Sequence, residues 1–198
     1  MARPRPEPHP DPPADLSSRS LPLKESSGPW TRVHARNRQA LFFGRTGDNR
    51  FDAPDGSYGV LYAAEDTLGA FAETFGDPLD IRLVGRADLA KRCLARITST
   101  RRLRLVDLTA KGLRQIGADA RLTSGDRTLA QRWALALWHH PSKPDGIAYR
   151  VRHDPSKEAV AIFDRAKTLV KSQPMGRLTD DTAALAEILN HYGFGLVD

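Results

Sequence analysis

Four side chains from separate segments of this sequence carry chemical groups that suit one another: Arg32, Arg50, Tyr62 and Glu73. Guanidinium groups bind phosphates through paired hydrogen bonds, and an aromatic ring stacks on a flat heterocycle. A carboxylate stabilises positive charge that develops on a sugar carbon. Cleavage of a dinucleotide at a glycosidic bond uses all three kinds of group, so this set indicates that chemistry.

Each of these residues also has a purely structural interpretation. Arg32 and Arg50 suit ion pairs, and Tyr62 suits a core position with a satisfied hydroxyl. Glu73 suits a solvated helix face. Residue types alone leave both interpretations open.

The segment YGVLYAAEDTLGAFAE places Glu73 on a helix. Residues 60–62 predict a short buried strand, and Asp66 or Thr67 can cap the helix that follows. Glu73 lies off the apolar stripe, and its neighbours one turn away include Gly69 and Gly76. Since a glycine inside a helix costs roughly 1 kcal/mol, these glycines predict space that serves either close packing or a ligand. The stripe comprises Leu68, Phe71, Ala72 and Phe75.

Length and composition indicate one soluble domain with an extension. The chain has 198 residues, 40% of them hydrophobic, and its one cysteine excludes an intrachain disulfide. It contains no apolar run of membrane-spanning length and no signal-peptide pattern, so we predict no membrane association and a cytoplasmic location. The formal charge of +6 suits phosphate ligands or an acidic protein partner. Because basic residues are interspersed with acids, we predict no direct nucleic-acid binding.

The pattern along the chain predicts two parts. Residues 1–28 are rich in proline and poor in apolar residues, which predicts a disordered arm. Residues 29–198 predict a domain of the α+β class, because full crossover helices separate few of its strands. Strands are predicted at TRVHAR, LFFG, DIRLVGR and RLRLVDL, a hairpin at GIAYRV and EAVAIFD, and helices at LTAKGLRQIG, DRTLAQRWALALWHH and DDTAALAEILNHYG.

Several common site signatures are absent from the sequence. It has no phosphate loop, no G-x-G-x-x-G and no H-E-x-x-H. The adjacent His139 and His140 point to different helix faces, so they do not form a metal pair of the i, i+4 type. We therefore predict no metal site.

The order of motifs resembles that of the RES domain family. The motifs are Arg32, NRFDAP, GVLYAAEDTLGAFAE, LRLVDLT, HPSKPDGIAYRVRHDPS and AIFDRA, and the resemblance covers roughly residues 30–195. It implies mixed sheets with flanking helices, as in ADP-ribosyltransferases. It also implies the toxin of a toxin–antitoxin pair, with an Xre-type antitoxin as partner.

The activity implied by the resemblance is the consumption of NAD as a substrate. The nicotinamide–ribose bond would be cleaved with inorganic phosphate or water as acceptor, or ADP-ribose would be transferred to an acceptor protein. Arg32, Tyr62 and Glu73 match the family's catalytic positions, and Arg50 matches a second arginine that would anchor the NAD pyrophosphate together with Arg32. His153 and Arg152 are the candidates for orienting an anionic acceptor.

One position departs from the family pattern. The family often has Y-x-S-R-H-D-P where this chain has YRVRHDP, so Val151 replaces the serine. A valine side chain neither donates nor accepts a hydrogen bond. The alternatives are an active enzyme in which a neighbouring group supplies the lost contact, and an attenuated module that works through binding alone.

Overall fold

The architecture is one large mixed sheet, a second two-stranded sheet and flanking helices. A computed structural model describes residues 9–77, 82–109 and 111–198. The strands are β1 Leu23–Ser26, β2 Trp30–Ala35, β3 Val60–Ala64, β4 Leu83–Gly85, β5 Arg92–Ser99, β6 Leu103–Leu108, β7 Gly146–Val151, β8 Asp154–Phe163, β9 Val170–Arg177 and β10 Gly195–Val197. The helices are α1 Thr67–Phe75, α2 Arg86–Ala90, α3 Lys111–Ile116, α4 Arg121–Ser124, α5 Arg127–His139 and α6 Thr182–Tyr192. Two short 3₁₀ helices cover Leu16–Ser18 and Asp164–Leu169.

The large sheet has eight strands in the order β1–β6–β7–β8–β3–β2–β5–β9. Its neighbouring strands are antiparallel except β6 and β7, which run parallel. The parallel strands β4 and β10 form the small sheet. This mainly antiparallel arrangement with separate helices confirms the predicted α+β class. Within the described ranges, no helix is both long and apolar enough to cross a membrane.

Helix α1 lies against β2, β3 and β8 in the middle of the large sheet. Asp66 caps it as predicted, since its Oδ1 accepts a hydrogen bond from the Gly69 N–H at 2.8 Å. Phe71 is fully buried and packs with apolar side chains of α2 and α6. The predicted apolar face of α1 therefore fixes this helix on the sheet and leaves Glu73 on another face.

The two glycines near Glu73 have packing roles. A Cβ added at Gly69 would lie 3.1 Å from the Cβ of Ala64, and one added at Gly76 would lie 2.4 Å from ring atoms of His153. Gly69 thus allows close approach of α1 to β3, and Gly76 accommodates an imidazole ring. The space that the sequence indicated around Glu73 is filled by protein at both positions.

The structure corrects the prediction of a disordered arm over residues 9–28. The strand β1 pairs with β6 and extends the large sheet, and Leu16 is buried in the main core. The Trp133 indole N–H donates to the Pro10 carbonyl at 3.0 Å. A few apolar side chains and exposed backbone carbonyls are enough to order this segment, because α5 and the edge of β6 offer complementary partners. Residues 1–8 lie outside the described residues.

The other predicted elements are mostly present. The hairpin corresponds to β7 and β8, and α5 and α6 cover the two strongest helical patterns. Asp126 caps α5 through its Oδ1, and Gly193 ends α6 with a φ of 66°. The LFFG segment was wrongly predicted as a strand, since it contributes only an isolated bridge between Gly44 and Val60. Of DIRLVGR, residues 83–85 form β4, and residues 80 and 81 lie outside the described ranges.

Candidate active site

A cleft of about 420 Å³ opens where α1 meets β2, β3 and β7. The five side chains singled out in the sequence all line it, although they come from distant segments: Arg32, Arg50, Tyr62, Glu73 and His153. Further arginines also line it: Arg38, Arg92, Arg127 and Arg152. The cleft therefore combines a carboxylate, aromatic rings and an excess of positive charge.

Glu73 faces the cleft and is held there by a buried tyrosine. The Tyr149 hydroxyl donates a hydrogen bond to the Glu73 Oε2 at 2.8 Å. Glu73 is exposed to the cleft, yet the surrounding protein desolvates its carboxylate enough to raise the pKa of Glu73. The Tyr149 hydroxyl, the Arg152 backbone N–H and the Arg50 charge act in the opposite direction on that pKa. The surroundings thus hold the carboxylate in one orientation and partly offset its desolvation.

Tyr149 was not identified from the sequence, although it lies in the GIAYRV strand two residues before the departure at Val151. Its side chain is 3% exposed, and its ring packs edge-on against Phe51 with centroids 4.9 Å apart. In the sequence it is indistinguishable from an ordinary core tyrosine of a strand. Only the register of β7 against β8 beneath α1 brings its hydroxyl to Glu73.

Tyr62 presents part of its ring to the cleft while its hydroxyl is used elsewhere. The hydroxyl donates to the Asp52 Oδ1 at 2.9 Å and accepts from the Phe51 N–H at 3.0 Å. Burial and the Asp52 charge raise the pKa of Tyr62 well above its usual value, so the hydroxyl stays protonated. These bonds anchor the segment that carries Arg50 to strand β3. A ligand at this wall meets the ring and not the hydroxyl.

Arg32 on β2 is a half-buried cation with unused hydrogen-bond donors. Its Nη2 donates to the Phe42 carbonyl at 3.1 Å, whereas Nε and Nη1 are buried and have no partner among the described residues. Burial, with a smaller effect of Arg38, lowers the pKa of Arg32 to about 10. Buried charges are normally paired, so this guanidinium fits an anion bound in the cleft.

Arg50 belongs to a second group of cations that line the cleft, together with Arg127 and Arg152. Its Nη1 donates to the Gly125 carbonyl at 2.9 Å. Burial lowers the pKa of Arg50, the charges of Arg152 and Arg127 lower it further, and Glu73 opposes them. The cleft consequently has two places where guanidinium groups repel each other in the absence of an anion, one at Arg32 and Arg38 and one at Arg50, Arg127 and Arg152.

Val151 does not line the cleft. Its side chain is fully buried in the same apolar cluster as Tyr149. Arg152 and His153, which follow it, do line the cleft, and each lies 3.5 Å from an Asp77 carboxylate oxygen. The substitution of valine for serine therefore changes a core position.

The described residues offer no group of three or more His, Cys, Asp or Glu side chains arranged to hold a metal ion. His140 is buried at the end of α5, where its ring nitrogens contact the Ser142 hydroxyl and the Arg19 carbonyl. It therefore has a structural role in closing the helix.

These features define an α+β protein with a cationic cleft built around one oriented carboxylate. The family model of the RES domain matches residues 29–189, so the chain belongs to the RES domain family. The chain is 32% identical over 116 residues to the probable toxin y4kH of Sinorhizobium fredii, an alignment that covers 58% of this chain and 90% of that protein.

The fold is also similar to that of a chain in the crystal structure of the Mycobacterium tuberculosis MbcT–MbcA toxin–antitoxin complex. The TM-score is 0.63 at 15% sequence identity, and the match covers 85% of this chain and 92% of the other. The mixed sheets with flanking helices implied by the sequence resemblance are confirmed.

Proposed function

We propose that this chain is the toxin of a toxin–antitoxin pair and that it cleaves the nicotinamide–ribose bond of NAD. The observation that carries the proposal is the half-buried Arg32 guanidinium, which has free donors in the same cleft as the oriented Glu73 carboxylate. The guanidinium suits a diphosphate, and the carboxylate suits a sugar carbon that becomes positively charged. Membership of the RES family supports the same assignment.

In the proposed mechanism Glu73 stabilises the oxocarbenium-like transition state as nicotinamide leaves. Tyr149 positions the carboxylate, so that little reorganisation is needed when charge develops. Arg32 binds the diphosphate, and the exposed part of the Tyr62 ring packs against the nicotinamide. The Tyr62 hydroxyl acts indirectly, by fixing the Arg50 segment through Asp52 and the Phe51 N–H.

The second group of arginines is relevant to which molecule accepts the ADP-ribose. The charges of Arg127 and Arg152 act on Arg50, and the charge of Arg38 acts on Arg32. If the diphosphate binds at Arg32, Arg50 and its neighbours can bind a second anion, which supports inorganic phosphate as a co-substrate alongside water.

The direct test is to incubate the purified protein with NAD, with and without phosphate, and to identify the products by mass. We expect nicotinamide in both reactions and a phosphorylated ADP-ribose only when phosphate is present. Transfer to protein is tested in parallel with labelled NAD and candidate acceptor proteins. If no nicotinamide is released under any of these conditions, the proposal is wrong.

We expect the Tyr149→Phe variant to fold normally and to cleave NAD about 10-fold to 100-fold more slowly, because it loses one hydrogen bond to a charged group. Since the lost hydroxyl normally lowers the pKa of Glu73, that pKa should rise. The acidic limb of the rate–pH profile should therefore move to higher pH. A slower rate with an unmoved acidic limb would contradict this positioning role.

The Val151→Ser variant tests whether the missing family serine attenuates the protein. We expect nicotinamide release to stay at the wild-type rate, because residue 151 lies in the core and outside the cleft lining. The thermal midpoint should fall, since a buried hydroxyl costs about 1–3 kcal/mol. Val151→Ala, which shortens the side chain without adding a hydroxyl, is the control. A large gain of activity in the serine variant would instead favour the attenuated binding module.

We further propose that an antitoxin of the Xre type binds and neutralises this chain. The structural relative belongs to a toxin–antitoxin complex, which supports such a partner. Expression of the wild type should arrest bacterial growth, and co-expression of the cognate antitoxin should restore it. Growth arrest by a variant that no longer cleaves NAD would separate toxicity from the enzymatic activity.

A further inference from the structure

His153 is packed against the end of helix α1, one turn from Glu73. Its ring occupies the space where a side chain at residue 76 would lie, because a Cβ added at Gly76 would be 2.4 Å from the ring Cγ and Cδ2. The His153 side chain is 11% exposed and lines the cleft. The glycine that ends α1 is therefore what brings an imidazole to the wall of the cleft near Glu73.

The two ring nitrogens of His153 have different surroundings. Nε2 lies 3.5 Å from the Asp77 Oδ1, whereas Nδ1 is buried and has no hydrogen-bond partner among the described residues. Nearly all buried polar atoms have a partner, and the ring that carries this unpartnered nitrogen lines the cleft. A turn of the ring toward the cleft would bring Nδ1 to a bound molecule. When Nε2 carries the proton that faces Asp77, Nδ1 keeps a lone pair that can accept a proton.

Charged groups from three elements face the ring: Asp77 after α1, Arg152 from the β7–β8 link and Arg50 from the segment before β3. Burial lowers the pKa of His153, the two arginines lower it further, and Asp77 opposes them. The ring is therefore neutral, and able to act as a base, at a lower pH than an ordinary histidine.

We propose that His153 is the general base that activates a neutral hydroxyl acceptor, water above all, in the cleavage of NAD. The inference rests on the proposed function. The water oxygen bonds to C1′ of the nicotinamide ribose while the C1′–N bond breaks, and the electron pair of that bond returns to the nicotinamide nitrogen. The water proton passes to His153 and then to solvent, so the products are ADP-ribose, nicotinamide and a proton.

A general base at His153 affects the reaction with water but not the reaction with phosphate in the same way. Water must lose a proton as it attacks, and a positioned base contributes about 10²–10⁴-fold to such a step. The phosphate dianion attacks through an oxygen that is already deprotonated. His153 therefore determines how the reaction divides between water and phosphate.

The test measures both products by mass from NAD and phosphate, with the purified full chain. His153→Asn should lower the formation of ADP-ribose about 100-fold and lower the formation of phosphorylated ADP-ribose much less. Gly76→Ala should shift the product ratio in the same direction, because its Cβ would lie 2.4 Å from the ring and displace it. The same Cβ would lie 2.5 Å from the Ala72 carbonyl oxygen of α1, so the ratio of the products, and not the total rate, is the readout. His139→Ala, which alters an exposed histidine at the end of α5, is the control and should change neither product.

Equal losses of both products, an unchanged ratio in the His153 and Gly76 variants, or a wild type that forms no ADP-ribose would each overturn the inference. Absence of nicotinamide from the wild-type reaction would refute the cleavage of NAD itself, which is a different result. Thermal melts establish whether each variant is folded. If His153→Asn does not fold, the product ratio of Gly76→Ala tests whether His153 is the general base.

Discussion

The Glu73→Gln variant is expected to release nicotinamide from NAD about 10²–10³-fold more slowly than the wild type, because it removes the negative charge that faces the developing positive charge. Glutamine has nearly the same size, and its carbonyl can still accept the hydrogen bond that the Tyr149 hydroxyl donates to Glu73. Helix α1 and its contacts should therefore be preserved. The measurement is the steady-state rate of nicotinamide release at saturating NAD.

The control for this variant is Glu187→Gln on the exposed face of helix α6, which removes the same charge outside the cleft. It should leave the rate unchanged. A rate for Glu73→Gln within about tenfold of the wild type, which corresponds to less than about 1.4 kcal/mol of barrier, would show that the carboxylate does not have the assigned role.

The Arg32→Gln variant is expected to bind NAD more weakly and to be more stable than the wild type. Hydrogen bonds to a charged group contribute about 1.5–3 kcal/mol, so KM for NAD should rise about 10-fold to 100-fold. In the free protein the same substitution removes a half-buried charge whose Nε and Nη1 have no partner among the described residues. Removal of that desolvation cost should raise the thermal midpoint, by about 2–4 °C for each kcal/mol recovered.

Opposite effects on binding and stability distinguish a ligand-binding arginine from a structural one. A structural ion pair would show a lower melting temperature with unchanged KM, and that pair of results would contradict the assignment. Arg36→Gln changes an exposed arginine just after strand β2 and provides the matched control. It should alter neither quantity.

Much of the architecture is predictable from the sequence because local signals agree with the final packing. The apolar spacing predicts helices α1, α5 and α6, and Asp66 and Asp126 are predicted caps of the first two. The structure contains all three helices, with these caps and with their apolar faces buried. Arg32, Arg50, Tyr62, Glu73 and His153 were singled out by residue type and by the family motifs, and all five line one cleft. Their roles in NAD cleavage remain predictions.

What the sequence did not reveal depends on contacts between distant segments. Tyr149 differs from a core tyrosine only through its hydrogen bond to Glu73, which lies 76 residues away in the chain. The role of Gly76 depends on the position of the His153 ring, and no local pattern encodes that packing. The segment of residues 9–28 was predicted to be disordered because its composition is poor in apolar groups, yet its order comes from partners on α5 and β6.

The position of β3 in the sheet has a consequence for biosynthesis. Strand β3 pairs mainly with β8, through five residue pairs from Val60–Phe163 to Ala64–Ala159, and meets β2 in a single registered pair. On the ribosome, the early strands therefore emerge without the neighbour that completes their pairing, and non-local pairings of this kind form slowly. Tyr149 and His153 of the cleft and the strand β8 that pairs with β3 all lie in the last third of the chain, so the cleft cannot assemble before this region has been translated.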